Sequence, residues 1–401
     1  MRMAQICEAL LSAGDRVTYW TSTFIHAERR HALHQSAVEE HGGGLTSIRL
    51  HSPGYRKHVS LARLRDQRCL AREFRRLAST RSSPELILCS YPSIELAYEA
   101  TRYGAQRGIP VIVDVRDMWP DLFAWILPAP LRPLAHLALI PYRRKANAAL
   151  ARATALTGIT DAFLDWAVSR AGRRRTDDDR AFPFCYEEPA FSVDERTAAA
   201  EFWQQHGVSR AGSPVVLYIG SLNRSFDLRP IITCARELSS DPIAPLFVLC
   251  GTGDMESVYR SEAVGIPNVI MPGWIDGCQI RMILELAAIA IGPLPDRPDF
   301  RSTINNKFVE YLSGSLPVLV SPADCYAARL VIDRDCGRGF DLDRPGSLAA
   351  LLRDALADEG LLSRWAANAK SLFDEKFRAD YVLPRWVSYL HGMAASTSPK
   401  Q

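Results

Sequence analysis

The residues with the clearest potential for chemistry are Lys307 and Glu310, in the run NNKFVE (305–310). On a helix, side chains three positions apart share one face, and here both would lie near the N-terminal end. The N-terminal end of a helix attracts anions, and Lys307 would add a full positive charge there for a diphosphate. Glu310 could accept hydrogen bonds from both hydroxyls of a ribose. The alternative is an ordinary surface ion pair, worth about a few tenths of a kcal/mol. Taken alone, the pair does not decide between them.

Three glycine turns follow predicted strands upstream of this helix. They contain Gly220 with Arg224, Gly251 with Gly253, and Gly273 with Trp274. Glycine at the end of a buried strand lets backbone N–H groups approach a phosphate, and Arg224 could add a charge-assisted hydrogen bond. A glycine after a strand is more often only a turn, so each turn by itself is weak evidence for a binding site.

Hydrophobic patterns place these residues in an α/β framework. The first half predicts helices over 3–12, 61–78 and 94–107 and strands over 16–21, 85–90, 110–115 and 153–159. After an irregular connector, a helix around 195–207 precedes predicted strands over 215–219, 246–250, 268–271, 288–291 and 318–320. Strands that alternate with helices pair in parallel through right-handed crossovers. We therefore predict an α/β protein with two Rossmann-like, doubly wound domains that face a cleft.

The two series divide the chain into three predicted parts. They are an N-terminal domain over 1–188, a nucleotide-binding domain over 189–375, and a C-terminal helix and tail over 376–401 that packs back on the first domain. The first domain begins with a helix, whereas a doubly wound domain ordinarily begins with a strand and a Gly-rich turn. That strand usually lies in mid-sheet, where its loss would leave backbone groups unpaired. We therefore expect upstream residues to supply it, unless other strands close the gap.

Composition and charge exclude several classes of protein. The 401 residues include 48 Lys and Arg against 45 Asp and Glu, and the net charge of +3 is too small to indicate nucleic acid as a partner. Nine scattered cysteines without a CxxC pair indicate reduced thiols in the cytoplasm, with neither a disulfide framework nor a zinc site. No apolar run reaches the roughly 18 residues of a membrane span, and the charged N-terminus is unlike a signal peptide. We expect a cytoplasmic protein.

The segment 122–145 has a composition that suits contact with a membrane surface. It contains two uncharged apolar runs separated by Arg132, four prolines that forbid a continuous helix, and the basic run Arg143-Arg144-Lys145. The common interpretation is a buried loop and short helix packed on the core. The functional alternative is a surface that dips into the cytoplasmic leaflet of the inner membrane, with the basic run on anionic headgroups.

The order and spacing of the second-half motifs resemble a known family. The three glycine turns and the run NKFVEYLSGSLPVLVS (306–321) together resemble the donor-binding domain of family 4 glycosyltransferases, the retaining enzymes of the GT-B fold. The resemblance implies that Glu310 binds the ribose of the donor and that Lys307 lies beside its diphosphate. The other implied donor-binding residues are Gly220 and Arg224 at the phosphates, Gly251, and Gly273 with Trp274 at the base.

Three segments of the first half extend the likeness to bacterial family members that build surface polysaccharides. They are DVRDMWPD (114–121), similar to a DxRDxWP segment, WTSTFIHAERR (20–30), similar to a WTSxFxH segment, and Met1-Arg2-Met3, similar to the middle of the first helix. The resemblance implies that Arg116 and Asp117 face the cleft from the acceptor side and act with Lys307 in catalysis. If the transfer were inverting, Asp117 would be the base to examine. Its structural alternative is a helix cap or a pair with Arg116.

The implied activity is transfer of a hexosyl or N-acetylhexosaminyl group, with retention, from a UDP- or GDP-linked sugar. The acceptor would be a glycan or polyprenyl-linked sugar in cell-surface polysaccharide biosynthesis, with no metal or other cofactor and with a peripheral membrane contact through 122–145. Two positions depart from the family pattern, because Ser302 stands where a first glutamate is expected and no lysine follows Arg224. A non-catalytic nucleotide-binding subunit and a nucleotide-sugar epimerase of the same fold remain alternatives. His26 and His136 are further candidate acid–base groups.

Overall fold

The structure, a computed structural model, describes residues 2–26, 28–56, 60–344 and 346–397. Met1 and Ala27, which belong to motifs compared above, and residues 398–401 of the predicted tail lie outside the described residues. The chain divides into two compact units. Unit 1 contains the residues up to Pro183 and those from Val382 onward, and unit 2 is Phe184–Tyr381.

The division between the units falls before the boundary predicted at residue 188, because the connector is held in unit 2. The N–H of Tyr186 donates to the carbonyl of Phe377 at 2.9 Å, and its carbonyl accepts from Ala379 at 3.1 Å. Glu188 forms ion pairs with Arg281 and Lys370, each at 3.2 Å. These contacts join residues that are far apart in the sequence, so the local pattern around residue 188 cannot predict them.

Unit 1 begins with the helical and strand pattern expected from the sequence. Its strands are β1 (Val17–Ser22), β2 (Phe24–Ile25), β3 (Arg30–His31), β4 (Ala37–Gly42), β5 (Leu45–Leu50), β6 (Ile87–Tyr91), β7 (Val111–Val115), β8 (Ala155–Gly158) and β9 (Arg180–Ala181). Its helices are α1 (Arg2–Ser12), α2 (Leu61–Ala78), α3 (Ile94–Arg107), α4 (Leu122–Trp125), α5 (Arg132–Ala138), α6 (Ile140–Arg152) and α7 (Asp161–Ala171), with a 3-10 turn over Ala129–Leu131. The helices predicted over 61–78 and 94–107 have the observed bounds.

The strands of unit 1 form separate sheets. β1 pairs in parallel with β5, which pairs with β4 in antiparallel fashion, and β6, β7, β8 and β9 form a parallel sheet. β2 and β3 form a short antiparallel ribbon. Among the described residues, the parallel pairing that the sequence predicts for the first half is present between β1 and β5 and from β6 to β9. These strands lie in separate sheets because a ladder forms only between strands that lie directly side by side.

A buried ion pair joins α1 to the middle of unit 1. The Arg2 guanidinium donates to both carboxylate oxygens of Asp114 on β7, at 3.0 and 3.1 Å, and both side chains are buried. Arg2 also donates to the carbonyls of Phe182 and Pro183, at 2.8 and 2.6 Å. The Thr157 hydroxyl on β8 donates to Asp114 at 2.9 Å. Both charged groups of the pair are hydrogen-bonded, which makes burial of the arginine tolerable.

Unit 2 is built on one parallel sheet. Its strands are β10 (Val215–Ile219), β11 (Leu246–Cys250), β12 (Val269–Gly273), β13 (Ile289–Pro293), β14 (Val318–Ser321) and β15 (Gly337–Gly339), in the order β12-β11-β10-β13-β14-β15. Its helices are α8 (Val193–Gln205), α9 (Arg229–Leu238), α10 (Glu256–Glu262), α11 (Gly277–Leu286), α12 (Pro298–Arg301), α13 (Asn306–Ser313), α14 (Tyr326–Asp333), α15 (Ser347–Ala357) and α16 (Glu359–Lys376). Every pairing in the sheet is parallel, as the alternating pattern predicts.

Both faces of the unit 2 sheet are covered. Along β10, Val215, Leu217 and Ile219 belong to one hydrophobic core, whereas Val216 and Tyr218 belong to the other. This alternation follows from the two-residue period of a strand, and burial on both faces explains why β10 reads as a continuous apolar run. A polar aromatic residue in such a strand needs a partner for its hydroxyl.

The last helix, α17 (Ala379–Thr397), begins in unit 2 and continues into unit 1. In unit 1 its Trp386 stacks on Phe182, with ring centroids 4.1 Å apart, and the Arg2 guanidinium carbon lies 5.0 Å from the centroid of the Trp386 ring. The hydroxyl of Tyr389 donates to the carbonyl of Asp178 at 2.7 Å. Trp386 and Tyr389 therefore act in packing.

The segment 122–145 forms α4, the 3-10 turn, α5 and the first part of α6. Its interpretation as a buried loop packed on the core is wrong, because Leu134 and Leu137 are 66% and 65% exposed. The short helices cover Ala124 and Ala146 and leave the larger side chains outside. None of the helices in the described part of the chain combines the length and apolar character needed to cross a membrane.

The Arg2–Asp114 pair yields a stability prediction. Asp114→Asn should lower the free energy of unfolding by about 3–5 kcal/mol, because the Arg2 charge stays buried without its counter-charge. Denaturant unfolding followed by tryptophan fluorescence measures the loss. The control is Asp161→Asn, which removes an exposed partner of Arg175 and should change stability by no more than about 1 kcal/mol. Equal effects of the two substitutions would contradict a stabilising role for the buried pair.

Candidate functional site

The three predicted glycine turns meet at one edge of the unit 2 sheet. β10, β11 and β12 are parallel neighbours, so their carboxyl ends lie side by side. The N–H of Gly220 donates to the carbonyl of Cys250 at 3.0 Å, and the N–H of Gly251 donates to the carbonyl of Gly273 at 2.7 Å. Crevices at this edge of a parallel sheet are where ligands bind in doubly wound folds.

The turns after β10 and β11 are in backbone contact. A Cβ placed on Gly251 would lie 1.8 Å from the carbonyl oxygen of Gly220, and one on Gly220 would lie 2.4 Å from the Lys307 Nζ. A side chain at Gly251 would require movement of the backbone at Gly220, whereas one at Gly220 would displace the amine of Lys307. Glycine is required here because two turns and a lysine side chain share the space.

Helix α13 is fixed against the end of β10 by Tyr311. The N–H of Ile219 donates to the Tyr311 hydroxyl at 2.7 Å, and that hydroxyl lies 3.3 Å from the carbonyl oxygen of Ile219. At the start of the helix, the Asn305 side chain accepts from the N–H of Phe308 at 3.1 Å, which caps the first turn. The helix start is thereby positioned beside the Gly220 turn, with Lys307 in its first turn.

The amine of Lys307 lies between two aromatic side chains. It donates to the Tyr218 hydroxyl at 3.2 Å, and Nζ is 4.5 Å from the ring centroid of Tyr218 and 4.1 Å from that of Phe226. The Tyr218 hydroxyl in turn donates to the carbonyl of Ser221 at 3.1 Å. Burial lowers the pKa of Lys307 to about 7, and the charge of Glu310 only partly opposes this.

Glu310 stands one turn further along α13 and is half-buried. Burial raises the pKa of its carboxyl group, and the charge of Lys307 opposes that shift. Within the described residues, the Glu310 carboxylate makes no hydrogen bond and no ion pair with Lys307. The interpretation of the two residues as an ordinary surface ion pair is therefore wrong. A cation and a carboxylate on one face of a helix, both desolvated and unpaired with each other, are suited to hold a polar ligand.

Arg224 and Trp274 lie on the outside of their turns. The Arg224 side chain is 84% exposed, and its guanidinium is 3.7 Å from the carboxylate of Asp254 on the neighbouring turn. Trp274 is 72% exposed, directly after the end of β12. The side chain of Arg224 is thus less constrained by its neighbours than that of Lys307. The indole ring of Trp274 is open to solvent at the end of β12.

The loop before α13 carries its own ion pairs. Arg297 forms a bidentate pair with Asp299, at 2.9 and 2.7 Å, and Arg301 binds Asp296. Ser302 follows at the position where the family pattern has a glutamate. The two carboxylates of this loop are therefore engaged by arginines, which leaves little for an epimerase that needs free acids and bases around a sugar ring.

The predicted acceptor-side residues, Arg116 and Asp117, follow β7 in unit 1 and are half-buried. The Arg116 guanidinium donates to the Ser90 hydroxyl at 2.7 Å. Asp121, at the end of the same motif, is buried and accepts from Arg143 and Trp166, each at 3.1 Å. The motif thus combines structural carboxylates with two side chains that the packing does not bury completely.

The two histidine candidates have neighbours that favour structural roles. The His26 Nδ1 lies 2.7 Å from the Tyr55 hydroxyl, and His136 on α5 contacts Arg143. In the ranges that the structure describes, no group of three or more His, Cys, Asp or Glu side chains is arranged to hold a metal ion. That the reaction needs no metal stays a prediction.

Three residues of the site escaped the sequence reasoning. Tyr218, Phe226 and Tyr311 shape the surroundings of Lys307 and the position of α13. Tyr218 had a signal, since it is a tyrosine in an otherwise aliphatic buried strand and its hydroxyl needs a partner. Phe226 lies in the turn after β10, and nothing in its local sequence indicates that it packs on Lys307.

No model of a protein family matches the sequence, and no curated protein does either. Solved structures match most of the chain. Sucrose-phosphate synthase from Thermosynechococcus elongatus gives a TM-score of 0.72 at 16% identity, covering 98% of this chain and 93% of that chain. HepE from Anabaena, in complex with UDP and glucose, gives 0.63 at 14% identity and covers 87% of each chain. WaaG, a glycosyltransferase involved in lipopolysaccharide biosynthesis, gives 0.58 at 14% identity, covering 97% of this chain and 95% of that chain.

These structures share the two-domain α/β architecture of GT-B glycosyltransferases, and this chain has the same fold. The predicted fold class is confirmed. At identities this low, the structural similarity establishes only the fold. The roles of individual residues have to be argued from the geometry of the site.

The backbone contact at the sheet edge yields a second stability prediction. Gly251→Ala should lower the free energy of unfolding by at least about 3 kcal/mol, because the new Cβ overlaps the Gly220 carbonyl. Gly265→Ala is the matched control, since Gly265 also has a positive φ but nothing within 4 Å of its Cβ position. It should cost only about 1–2 kcal/mol of backbone strain. Similar losses in thermal and denaturant unfolding would show that the contact between the turns is unimportant.

Proposed function

We propose that this protein transfers a sugar from a nucleoside diphosphate donor to a glycan or polyprenyl-linked acceptor in cell-surface polysaccharide biosynthesis. The observation that carries the proposal is the Lys307 amine, held over Gly220 by Tyr218 and Phe226, with the unpaired Glu310 carboxylate one turn away. The Lys307 amine would neutralise charge on a diphosphate, and the Glu310 carboxylate would accept hydrogen bonds from the two hydroxyls of a ribose. Both lie beside the backbone turns at the carboxyl ends of parallel strands.

Sugar transfer requires stabilisation of the negative charge that develops on the departing phosphate. The bond from the sugar to the diphosphate ionises, so negative charge grows on the phosphate while the sugar becomes oxocarbenium-like. Lys307 and the start of α13 would stabilise that charge, with Arg224 as a second cation once its exposed side chain turns toward the ligand. Trp274 would stack on the base. The Gly220 and Gly251 turns would approach the phosphates with backbone N–H groups.

Retention of the anomeric configuration is part of the proposal. The acceptor would then approach on the face of the leaving group, and the departing phosphate oxygen could take the acceptor proton, so no carboxylate base is obligatory. Arg116 and Asp117 are the acceptor-side residues we would test. The donor would be a UDP- or GDP-linked hexose or N-acetylhexosamine, and HepE, whose structure holds UDP and glucose, supports a uridine nucleotide as the first choice.

A non-catalytic nucleotide-binding subunit is the second candidate. Ser302 favours it, because a serine in place of the expected glutamate leaves the donor sugar without one acceptor for its hydroxyls. Incubation of the protein with UDP- and GDP-sugars and a lipid-linked sugar acceptor separates the candidates. Nucleotide release only when the acceptor is present supports the transferase, and binding without turnover supports the subunit. An altered sugar without acceptor would identify an epimerase, and no binding of any nucleotide sugar would refute the proposal.

Glu310 gives the most direct test of nucleotide binding. Glu310→Gln should weaken binding of UDP by roughly 1–3 kcal/mol, because the neutral amide loses the negative charge and has an NH2 donor in place of one of the two acceptor oxygens. Isothermal calorimetry measures the change. Glu201→Gln, on the exposed surface of α8, is the matched control and should leave the affinity unchanged. Wild-type affinity in Glu310→Gln would remove the ribose assignment.

The burial of Lys307 predicts a pH dependence. Its pKa of about 7 means that above pH 7 the amine must take up a proton to bind a diphosphate as a cation. The affinity for a nucleotide sugar should therefore fall as pH rises above 7, by up to about tenfold per pH unit, and should be nearly constant below it. Calorimetry between about pH 6 and 8.5 tests this, because the diphosphate of a nucleotide sugar does not titrate there. Lys307→Arg keeps its charge and should flatten the profile, whereas an unchanged slope would implicate another group.

A further inference from the structure

Unit 1 carries a set of exposed, large apolar side chains between the end of α4 and the start of α6. This set, called here the apolar surface, consists of Ile126, Leu131, Leu134, Leu137 and Ile140. Elsewhere in the described part of unit 1, the large apolar side chains that are exposed to this degree are Val38 and Leu61. Isolated apolar residues on a surface are normal, but five within one short segment indicate an interaction site.

The apolar surface is built to stay exposed. Leu131, Leu134 and Leu137 recur every three residues, so they lie on one side of the short helical run. The run itself has no buried residue, and its neighbours attach it to unit 1, because Ala124 of α4 and Ala146 of α6 are buried and Arg143 of α6 binds Asp121. The segment is therefore attached through α4 and α6, and the leucines between them stay exposed.

Charge around the apolar surface has one sign. Residues 122–160 contain no Asp or Glu, whereas Arg132 and Arg144 are exposed among or beside the leucines. Arg143 and Lys145 are neutralised by Asp121 and Glu95, but Arg144 has no ion pair among the residues that the structure describes. The uncompensated charge near the apolar surface is therefore positive.

Helix α2 enlarges this basic rim. Arg68 donates to the hydroxyl of Tyr142 on α6 at 3.2 Å, which brings α2 beside the end of the apolar surface. Arg65 and Arg72 are exposed one turn before and after Arg68 on the same face, and neither forms an ion pair in the described ranges. Arg68 itself pairs with Glu95 at 3.6 Å, so it does not add an uncompensated charge. The basic rim is therefore defined here as Arg65, Arg72 and Arg144.

We propose that the apolar surface inserts its leucines into an anionic lipid bilayer while the basic rim contacts the headgroups. Exposed apolar side chains bordered by unpaired arginines, in a segment (122–160) without Asp or Glu, have the composition of an interfacial membrane anchor. A second copy of this chain fits less well, because two such surfaces would bring two basic rims together. The short, proline-interrupted helices lie on the membrane and do not cross it.

This contact does not depend on the sugar-transfer reaction, so it can be tested without any nucleotide. Vesicles of phosphatidylcholine alone are compared, by cosedimentation, with vesicles in which part of this lipid is replaced by phosphatidylglycerol. The protein should bind the anionic vesicles at least about tenfold more tightly, and added salt should weaken that binding.

Substitutions separate the two components of the surface. Leu134→Ser with Leu137→Ser should reduce binding to anionic vesicles by at least about tenfold, since the inserted apolar area is lost. Val264→Ser, a change at a residue that is 79% exposed in unit 2, is the matched control and should bind as the wild type does. Arg65→Gln with Arg72→Gln should weaken binding to anionic vesicles and reduce its salt dependence.

Three results would overturn the proposal. They are equal vesicle binding by the wild type and the double leucine variant, equal binding to neutral and anionic vesicles, and a concentration-dependent dimer, seen by light scattering, that the leucine substitutions abolish. Thermal unfolding and nucleotide binding of each variant establish that it is folded. Because those readouts are independent of vesicle binding, failure of the membrane contact and failure of the proposed transferase would be told apart.

Discussion

Backbone contact between neighbouring glycine turns is the constraint on which the candidate site depends. The Gly251 turn lies against the Gly220 carbonyl, and Gly220 leaves room for the amine of Lys307. A side chain at either glycine would separate β10 from β11 at their carboxyl ends or push the lysine away. The edge of the sheet is thus shaped by the absence of side chains, and the charged groups of α13 occupy the space that results.

The same space explains the electrostatics of Lys307. Its amine has two aromatic faces and one hydroxyl as neighbours, so it loses water without gaining a carboxylate. Burial lowers the pKa of the amine to about 7, so the loss of water outweighs the charge of Glu310. A lysine paired with a carboxylate would keep a higher pKa, because the opposite charge stabilises its protonated form.

Unit 1 shows how one motif can serve two purposes. In DVRDMWPD (114–121), the Asp114 carboxylate binds Arg2, and the Asp121 carboxylate accepts hydrogen bonds from Arg143 and Trp166. Both carboxylates therefore hold helices and strands together. Arg116 and Asp117 lie between them and stay half-buried. Buried, fully paired charges fix the loop, and the intervening residues gain a defined position from that framework.

The sequence by itself determined most of the elements of unit 2 and the spacing of Lys307 and Glu310. Helix bounds such as those of α2 and the strand β10 follow from local periodicity, and Lys307 and Glu310 share a face because a helix has 3.6 residues per turn. Tertiary structure alone decided what surrounds them. Tyr218 and Phe226 reach Lys307 from another part of the chain, and the division of unit 1 into separate sheets depends on which strands lie side by side. The exposure of Leu134 could not be predicted from the local sequence either. An apolar run is buried only if a segment from elsewhere in the chain packs over it.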